Sequence, residues 1–252
     1  MNILYLRKLR AFLFFALLSL TTFSSHSQNF TVMTEDFPPF GYYDKNGKLV
    51  GAAVEIVQLL LVKMNHPDKI QVLPWSRAIR TLEIEPNHML FAMAKTPERE
   101  PKFKWLGPIL YDDIFLYQLS SDSSEYNNIE QAKKAKYIVV TRGFPEEKIL
   151  EQLGFKNIHT AHTPSQALSM LMSGRVTMIA SGSIAITPLL QRSNYPLNAL
   201  KETKVKLFST GIYIGLSKST PDEIVQDWQI GLNEIKKSES YQNIMSKYFS
   251  LP

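Results

Sequence analysis

The sequence predicts an α/β protein of two lobes, each built on a mostly parallel sheet flanked by helices. Strand-like and helix-like segments alternate along the chain, which is typical of parallel sheets. The alternation occurs in two similar runs, separated by the polar stretch "LSSDSSEYNN" (119–128), the clearest break in composition. The segment "MLFAM" (89–93) is apolar throughout, as expected of a strand that is covered on both faces.

The first run contains two further strands and two helices. The strands are predicted at "NFTVM" (29–33) and "KIQVL" (69–73). The segment "GAAVEIVQLLLVKM" (51–64) has apolar residues at helical spacing. A short helix is predicted at "SRAIRTLEI", with Ser76 as its N-cap.

The alternation then restarts in the second run. Strands are predicted at "KYIVV" (136–140) and "VTMIA" (176–180). The helices "FPEEKILEQLG" and "TPSQALSMLMSG" both have a proline in the first turn and end at a glycine. The second of them begins with a capping box, from Thr163 to Gln166. A second capping box, from Thr220 to Glu223, begins a long helix near the end of the chain.

Residues 1–27 have the pattern of a secretory signal peptide. Three basic residues precede the apolar run "AFLFFALLSL", which is too short to span a bilayer, and small residues favour cleavage after Ser27. We therefore expect a mature periplasmic protein that begins at residue 28. The sequence has no cysteine, so we expect neither disulfides nor the lipid anchor of a lipoprotein.

Charge and motifs argue against several classes of function. The formal net charge of +5 falls to about +2 without the signal peptide, which does not favour a nucleic-acid partner. The sequence has no P-loop, no G-x-G-x-x-G and no serine nucleophile elbow. The pair His159 and His162 is either a weak metal signal or two ordinary loop histidines. We therefore predict no catalytic residue, metal site or cofactor.

Aromatic residues follow two of the predicted strands. In sheets of this type, ligands bind at the carboxyl ends of the strands. Phe37 lies in the proline-rich loop "TEDFPPFGYY" after the first strand, and Trp75 lies in "PWSR" after the second. Each is either a core residue or one wall of a site for a small molecule.

Arg99 follows the apolar strand, within "AKTPERE". Thr96 and the proline after it begin a helical turn that Pro101 cuts short. An arginine on such a turn is suited to bidentate capture of a carboxylate. The alternative is a surface network of Arg99 with Glu98 and Glu100, which would contribute little energy.

A third candidate is the junction "TRGF" after the first strand of the second run. Thr141, Arg142 and Gly143 lie where a strand meets a helix N-terminus. Free backbone N–H groups and the helix dipole make such a junction suitable for an anion. The Arg142 side chain either adds its charge or points to solvent.

These segments, in this order, resemble the bacterial solute-binding protein family 3, whose members are periplasmic receptors for amino acids and related solutes that serve ABC importers. The matching segments are "TEDFPPFGYYDKNGKLVGAAVEIVQLL", "PWSRAI", "AKTPEREPKFKWLGPI", "IVVTRG", "ALSMLMSGRV" and the final "IGLSKSTPDEIVQDWQIGLNEIKKSESYQNIMSKYF". The combination also resembles a divergent branch of that family.

The resemblance implies a two-lobed periplasmic binding protein fold of type II. It places lobe one at residues 28–115 and 208–252 and lobe two at residues 116–207. Two crossing strands, near residues 112–118 and 206–211, would join the lobes. The ligand cleft would lie between the lobes and close by a hinge motion.

The resemblance also implies the site. Arg99 would pair with the ligand's α-carboxylate, Phe37 and Trp75 would form the walls, and the turn at Thr141 to Gly143 would offer backbone donors. The expected ligand-binding residues are Glu35, Phe37, Trp75, Ala94, Thr96, Arg99, Thr141, Arg142, Gly143 and Gly182.

One departure from the family concerns the ligand's ammonium group. The family carries aspartates where "GRVTMIASGS" has Thr177 and Gly182, and the second of them pairs with the ammonium. A buried ammonium without a carboxylate would be costly. Either Glu35 or Asp36 supplies the acid, or the ligand is not a standard α-amino acid.

The function that follows is capture of a small carboxylate-bearing, amino-acid-like solute by a monomeric periplasmic protein, for delivery to an ABC permease. One alternative is a sensory receptor that feeds a membrane signalling protein. Another is a periplasmic enzyme that acts on a small carboxylate.

Overall fold

The computed structural model describes residues 29–249. The predicted signal peptide and its cleavage site lie outside the described residues. Within residues 29–249, no helix is both long and apolar enough to cross a membrane.

The described chain alternates strands and helices, as predicted. The strands are β1 (Thr31–Thr34), β2 (Tyr42–Tyr43), β3 (Leu49–Val50), β4 (Ile70–Val72), β5 (His88–Ala94), β6 (Lys104–Leu119), β7 (Ile138–Thr141), β8 (Ile158–Ala161), β9 (Met178–Gly182) and β10 (Leu200–Leu216). The helices are α1 (Ala52–Lys63), α2 (Trp75–Ile84), a 3-10 helix (Glu100–Lys102), α3 (Ile129–Ala132), α4 (Pro145–Gln152), α5 (Pro164–Met172), α6 (Ser183–Arg192), α7 (Asp222–Ile235) and α8 (Glu239–Phe249).

Eight of these strands form a continuous sheet in the order β4-β1-β5-β10-β6-β9-β7-β8. Strand β1 pairs in parallel with β4 and β5, and these three strands belong to lobe one. Strand β7 pairs in parallel with β8 and β9, which belong to lobe two. The predicted fold class, two lobes with mostly parallel sheets, is confirmed.

The long strands β6 and β10 join the lobes. They pair with each other in antiparallel fashion along most of their length. Residues 212–216 of β10 pair with β5 of lobe one, whereas residues 114–118 of β6 pair with β9 of lobe two. Both strands therefore run through both lobes. The expected lobe boundaries at residues 115 and 207 lie inside these strands and stay a prediction.

Helical periodicity places α1 in the core of lobe one. Its residues Val54, Val57 and Leu61 are fully buried, as their spacing predicted. Trp228 and Leu232 of α7 belong to the same core, so α7 packs with α1. Lobe two has separate apolar clusters on the two faces of its sheet.

The predicted helix caps have mixed outcomes. The Thr163 cap of α5 is confirmed, because its hydroxyl accepts from the Gln166 amide at 3.1 Å. The Gln166 side chain accepts from the His162 amide at 2.7 Å, not from that of Thr163, so the box is only half formed. The Ser76 cap is wrong: α2 begins one residue earlier, and the Pro74 carbonyl accepts the first amides of the helix. The Thr220 cap is also wrong, since Pro221 takes the cap position of α7 and makes no side-chain cap bond.

Candidate functional site

A cavity of about 50 Å³ lies between the lobes, beside β6 and β10. Six of the ten predicted site residues line it: Glu35, Phe37, Trp75, Ala94, Arg99 and Gly182. Three others, Thr96, Arg142 and Gly143, line a wider groove of about 640 Å³ that shares Trp75 and Arg99 with the cavity. Thr141 is buried at the end of β7 and lines neither.

Arg99 is held by a single turn, as its sequence predicted. The Thr96 carbonyl accepts from the amides of Arg99 at 3.0 Å and Glu100 at 2.8 Å. The 3-10 helix with Pro101 follows at once and ends the turn. The side chain of Arg99 is only 8% exposed, and Glu100 instead pairs with Lys95 at 2.7 Å. The alternative of a surface network around Arg99 is therefore wrong.

The guanidinium of Arg99 connects the two lobes. Its Nη1 donates to the Ala94 carbonyl at 3.0 Å, within lobe one. Its Nη2 donates to the Gly143 carbonyl of lobe two at 2.6 Å. The indole Nε1 of Trp75 donates to the same Gly143 carbonyl at 3.1 Å, and the guanidinium lies 5.1 Å from the Trp75 ring. The structure is therefore a closed form, with the lobes in direct contact.

The turn of lobe two differs from the expectation that it offers free backbone donors. The amide of Arg142 donates to the Ala161 carbonyl at 2.8 Å, and the amide of Gly143 donates to the Glu147 carboxylate at 2.6 Å. Both donors are thus used within lobe two, and the turn presents the Gly143 carbonyl to Arg99 instead. Gly143 has φ +74°, a left-handed conformation that favours glycine. The Arg142 side chain is exposed, so its charge does not enter the cavity.

Three aromatic rings form one side of the cavity. The Phe144 ring of lobe two lies 5.7 Å from the rings of both Phe37 and Trp75, which belong to lobe one. Phe40 lies 5.5 Å behind Phe37 and is almost fully buried. Phe37 and Trp75 therefore line the cavity, as the sequence suggested. Phe144 was missed, although it directly follows the "TRG" turn.

Three buried carboxyl groups also line the cavity: Glu35, Asp112 and Glu146. Burial raises the pKa of Glu35 to about 8, against the opposing effect of Arg99. Burial likewise raises the pKa of Glu146 to about 7 and that of Asp112 to about 6. Sequence reasoning found only Glu35. Glu146 was not singled out within the predicted helix "FPEEKILEQLG", and nothing local marked Asp112.

Asp36, the other acid considered for the ligand's ammonium, has a different role. Both of its carboxylate oxygens pair with Arg192 of α6, with 2.6 Å between Nη2 and Oδ2. Both side chains are partly exposed, so the pair bridges the lobes outside the cavity.

The site thus combines one guanidinium, three carboxyl groups and a wall of aromatic rings. Such a set can bind a small solute that carries both a carboxylate and a cation. A cavity of about 50 Å³ has room for only a few water molecules at roughly 10–15 Å³ each. A solute of amino-acid size therefore requires the lobes to move apart.

Two α/β lobes joined by two long strands, with a charged cavity between them, define a two-lobed solute-binding protein. The chain belongs to the bacterial extracellular solute-binding proteins, family 3, whose model matches residues 30–251. It is 25% identical over 217 residues to the putative ABC transporter arginine-binding protein 2 of Escherichia coli (strain K12), covering 84% of this chain and 87% of that protein.

Solved structures show the same fold. A histidine kinase sensor domain with similarity to periplasmic binding proteins matches with a TM-score of 0.79 and 17% identity, covering 89% of this chain and 98% of that one. An ancestral arginine-binding protein bound to arginine matches with a TM-score of 0.77 and 22% identity, covering 89% and 100%. The family and fold expected from the sequence are both confirmed.

Proposed function

We propose that this protein is a periplasmic receptor that captures a small, carboxylate-bearing, amino-acid-like solute by closure of its lobes and delivers it to an ABC importer. The observation that carries the proposal is the buried Arg99 guanidinium, which lies in the cavity between the lobes. The family and the name of the curated relative support the transport role.

Arg99 is proposed to bind the solute's carboxylate. Among residues 29–249, no carboxylate lies within 4 Å of its guanidinium, and its partners are two neutral carbonyl groups. Burial lowers the pKa of Arg99, while Glu146, Glu98 and Glu35 raise it. A charge-assisted pair with a carboxylate is roughly twice as strong as a hydrogen bond between neutral groups. The bond to Gly143 breaks when the lobes part, and the guanidinium then becomes accessible to the solute.

Other predicted residues are proposed to shape the site around Arg99. Ala94 and Thr96 orient it through the contacts of their backbone oxygens. Phe37 and Trp75 bound the aliphatic part of the solute from lobe one. Closure is proposed to turn on β6 and β10, with lobe one at residues 28–115 and 208–252 and lobe two at residues 116–207.

A thermal-shift screen tests the proposal. The mature protein is heated with each of the twenty L-amino acids, with small dicarboxylic acids and with linear diamines. A carboxylate-bearing compound at about 100 times its Kd should stabilise the protein by about 2.7 kcal/mol. A protein that responds to diamines and to none of the carboxylates would contradict the proposal.

Two variants assign the effect to the guanidinium. Arg99→Ala should abolish the shift, and Arg99→Lys should reduce it, because lysine keeps the charge but lacks the planar pair of donors. Arg80→Ala, on the exposed face of α2, is the matched control and should respond like the wild type.

A further inference from the structure

We propose that Asp112 holds the cationic end of the solute, and that the absence of a side chain at Gly182 is what admits its carboxylate to the cavity. This role of Asp112 rests on the proposed function. Asp112 would then select an amine-bearing solute over a simple carboxylic acid.

The backbone at Gly182 does not require a glycine. Gly182 is the last residue of β9, with φ −70° and ψ 143°, an extended conformation that any residue adopts. A Cβ atom added there would lie 1.8 Å from Oδ2 of Asp112 and 2.7 Å from its Cγ. The carboxylate of Asp112 thus occupies the space that a side chain at position 182 would need.

Asp112 reaches this space from β6. Ile114 of β6 pairs with Gly182 of β9, and Asp112 lies two residues away on the same face of the strand. Its Oδ1 accepts hydrogen bonds from the Ser183 hydroxyl at 3.0 Å and the Ile184 amide at 3.2 Å. These donors belong to the first turn of α6, where the helix dipole also favours a negative charge. The carboxylate is therefore fixed in position before any solute binds.

Glu146 supplies a second, independent observation. It lines the same cavity and is only 6% exposed. Its Oε2 has no hydrogen-bond partner among the residues that the structure describes. A buried carboxylate oxygen without a donor is costly, so its position indicates a donor on the solute. Burial raises the pKa of Glu146, and the nearby charge of Asp112 raises it further.

The two acids and Arg99 make the cavity suited to a dipolar solute. One guanidinium attracts a carboxylate, and the Asp112 and Glu146 carboxyl groups attract a cation. The family resemblance led us to expect an aspartate at position 182. A carboxylate does lie in that space, but it belongs to Asp112, on the strand that joins the lobes. Asp36 pairs with Arg192 outside the cavity, so it does not bind the solute's cation.

The binding test compares Asp112→Asn with Asp113→Asn by isothermal titration calorimetry. Asp113 is the next residue of β6, but it is partly exposed and pairs with Lys206 at 2.9 Å, which makes it the matched control. The probes are the L-amino acid that most stabilises the wild type and the same compound without its α-ammonium group. For L-arginine, the second probe is 5-guanidinopentanoic acid.

Asp112→Asn should weaken binding of the amino acid by at least about 30-fold, because it removes one partner of a buried charge pair. It should change binding of the deamino compound by less than about threefold, and Asp113→Asn should leave both affinities near those of the wild type. The double variant Asp112→Gly with Gly182→Asp returns a carboxylate to the same space. It should recover at least about tenfold of the affinity that Asp112→Gly loses.

A second experiment tests the pairing of positions 112 and 182 without any solute. Gly182→Ala should lower the Tm of the wild type, because its Cβ meets the Asp112 carboxylate, and should lower it much less in the Asp112→Gly background. Equal losses in both backgrounds would overturn the pairing of the two positions.

The remaining outcomes separate the two proposals. Wild-type affinity of Asp112→Asn for the amino acid would overturn the role of Asp112 and leave the proposed function intact. A wild type that binds carboxylic acids but no amino acid would overturn the role of Asp112 and the amino-acid-like character of the proposed solute, and would leave the carboxylate-binding role of Arg99 intact. A wild type that binds no carboxylate at all would overturn the proposed function and, with it, this role of Asp112.

Discussion

The guanidinium of Arg99 donates to the carbonyl of Gly143 at 2.6 Å, across the boundary between the two lobes. The same carbonyl accepts from Trp75 at 3.1 Å. One backbone oxygen of lobe two therefore holds two side chains of lobe one that the proposed function places at the solute. The guanidinium that the proposed function assigns to the solute's carboxylate therefore also makes a contact that closes the lobes.

Because Trp75 donates to this carbonyl, we predict that Trp75 contributes to closure of the lobes. Trp75→Phe keeps a ring in the wall but removes the Nε1 donor, which should cost about 1 kcal/mol of closing free energy. The solute-free protein should then be more open, with a larger radius of gyration in small-angle X-ray scattering. Trp105→Phe is the matched control, since its Nε1 donates at 3.1 Å to Glu100 within lobe one. Equal radii for the wild type and both variants would show that the Trp75 bond does not hold the lobes together.

We predict that Gly143 is needed both for the left-handed backbone of its turn and for the close approach of Trp75. An alanine at φ +74° costs roughly 1–2 kcal/mol, and its Cβ would lie 3.4 Å from the Trp75 Nε1. Gly47 has the similar φ of +75°, with no atom within 4 Å of an added Cβ. Chemical denaturation should therefore show similar losses for Gly143→Ala and Gly47→Ala, whereas only Gly143→Ala should weaken solute binding. If Gly47→Ala weakened binding as much, the effect would be general destabilisation.

The raised pKa values predict how stability depends on pH. Burial raises the pKa of Glu35 from 4.5 to about 8, so between these pH values the folded protein binds more protons than the unfolded chain. The free energy of unfolding then falls as pH rises through this window. Thermal denaturation of the solute-free protein should give a higher Tm at pH 5 than at pH 8.5.

Glu35→Gln tests the source of that dependence. The variant cannot ionise at this position, so its Tm should fall less between pH 5 and pH 8.5 than that of the wild type. Glu223→Gln, on the exposed first turn of α7, should follow the wild type. A profile of Glu35→Gln as steep as that of the wild type would assign the dependence to other groups.

Periodic elements of the fold were predictable because their signals are local. The spacing of Val54, Val57 and Leu61 defines the buried face of α1, and the apolar run of β5 marks a strand with both faces covered. Strand β8 was missed, because its sequence "IHTA" is short and half polar. Its position follows from pairing with β7, which no local pattern encodes.

The candidate site likewise has features that neighbouring residues encode and features that depend on residues far apart in the sequence. The single turn that carries Arg99 is encoded by neighbouring residues, from Thr96 to Pro101, and was predicted. The role of Asp112 depends on the missing side chain of Gly182, on a different strand. The use of the Gly143 carbonyl in place of its amide depends on Glu147, which occupies that amide. Such relationships arise only when the chain has folded.

Whether Arg99 binds the solute's carboxylate can be measured by a calorimetric comparison of wild type and Arg99→Lys. Each is titrated with the L-amino acid that most stabilises the wild type and with the amine that lacks its carboxylate. The wild type should bind the amino acid much more tightly than the amine, and Arg99→Lys should reduce this preference, because lysine keeps the charge but lacks the planar pair of donors. An unchanged preference in Arg99→Lys would contradict the claim that Arg99 binds the solute's carboxylate.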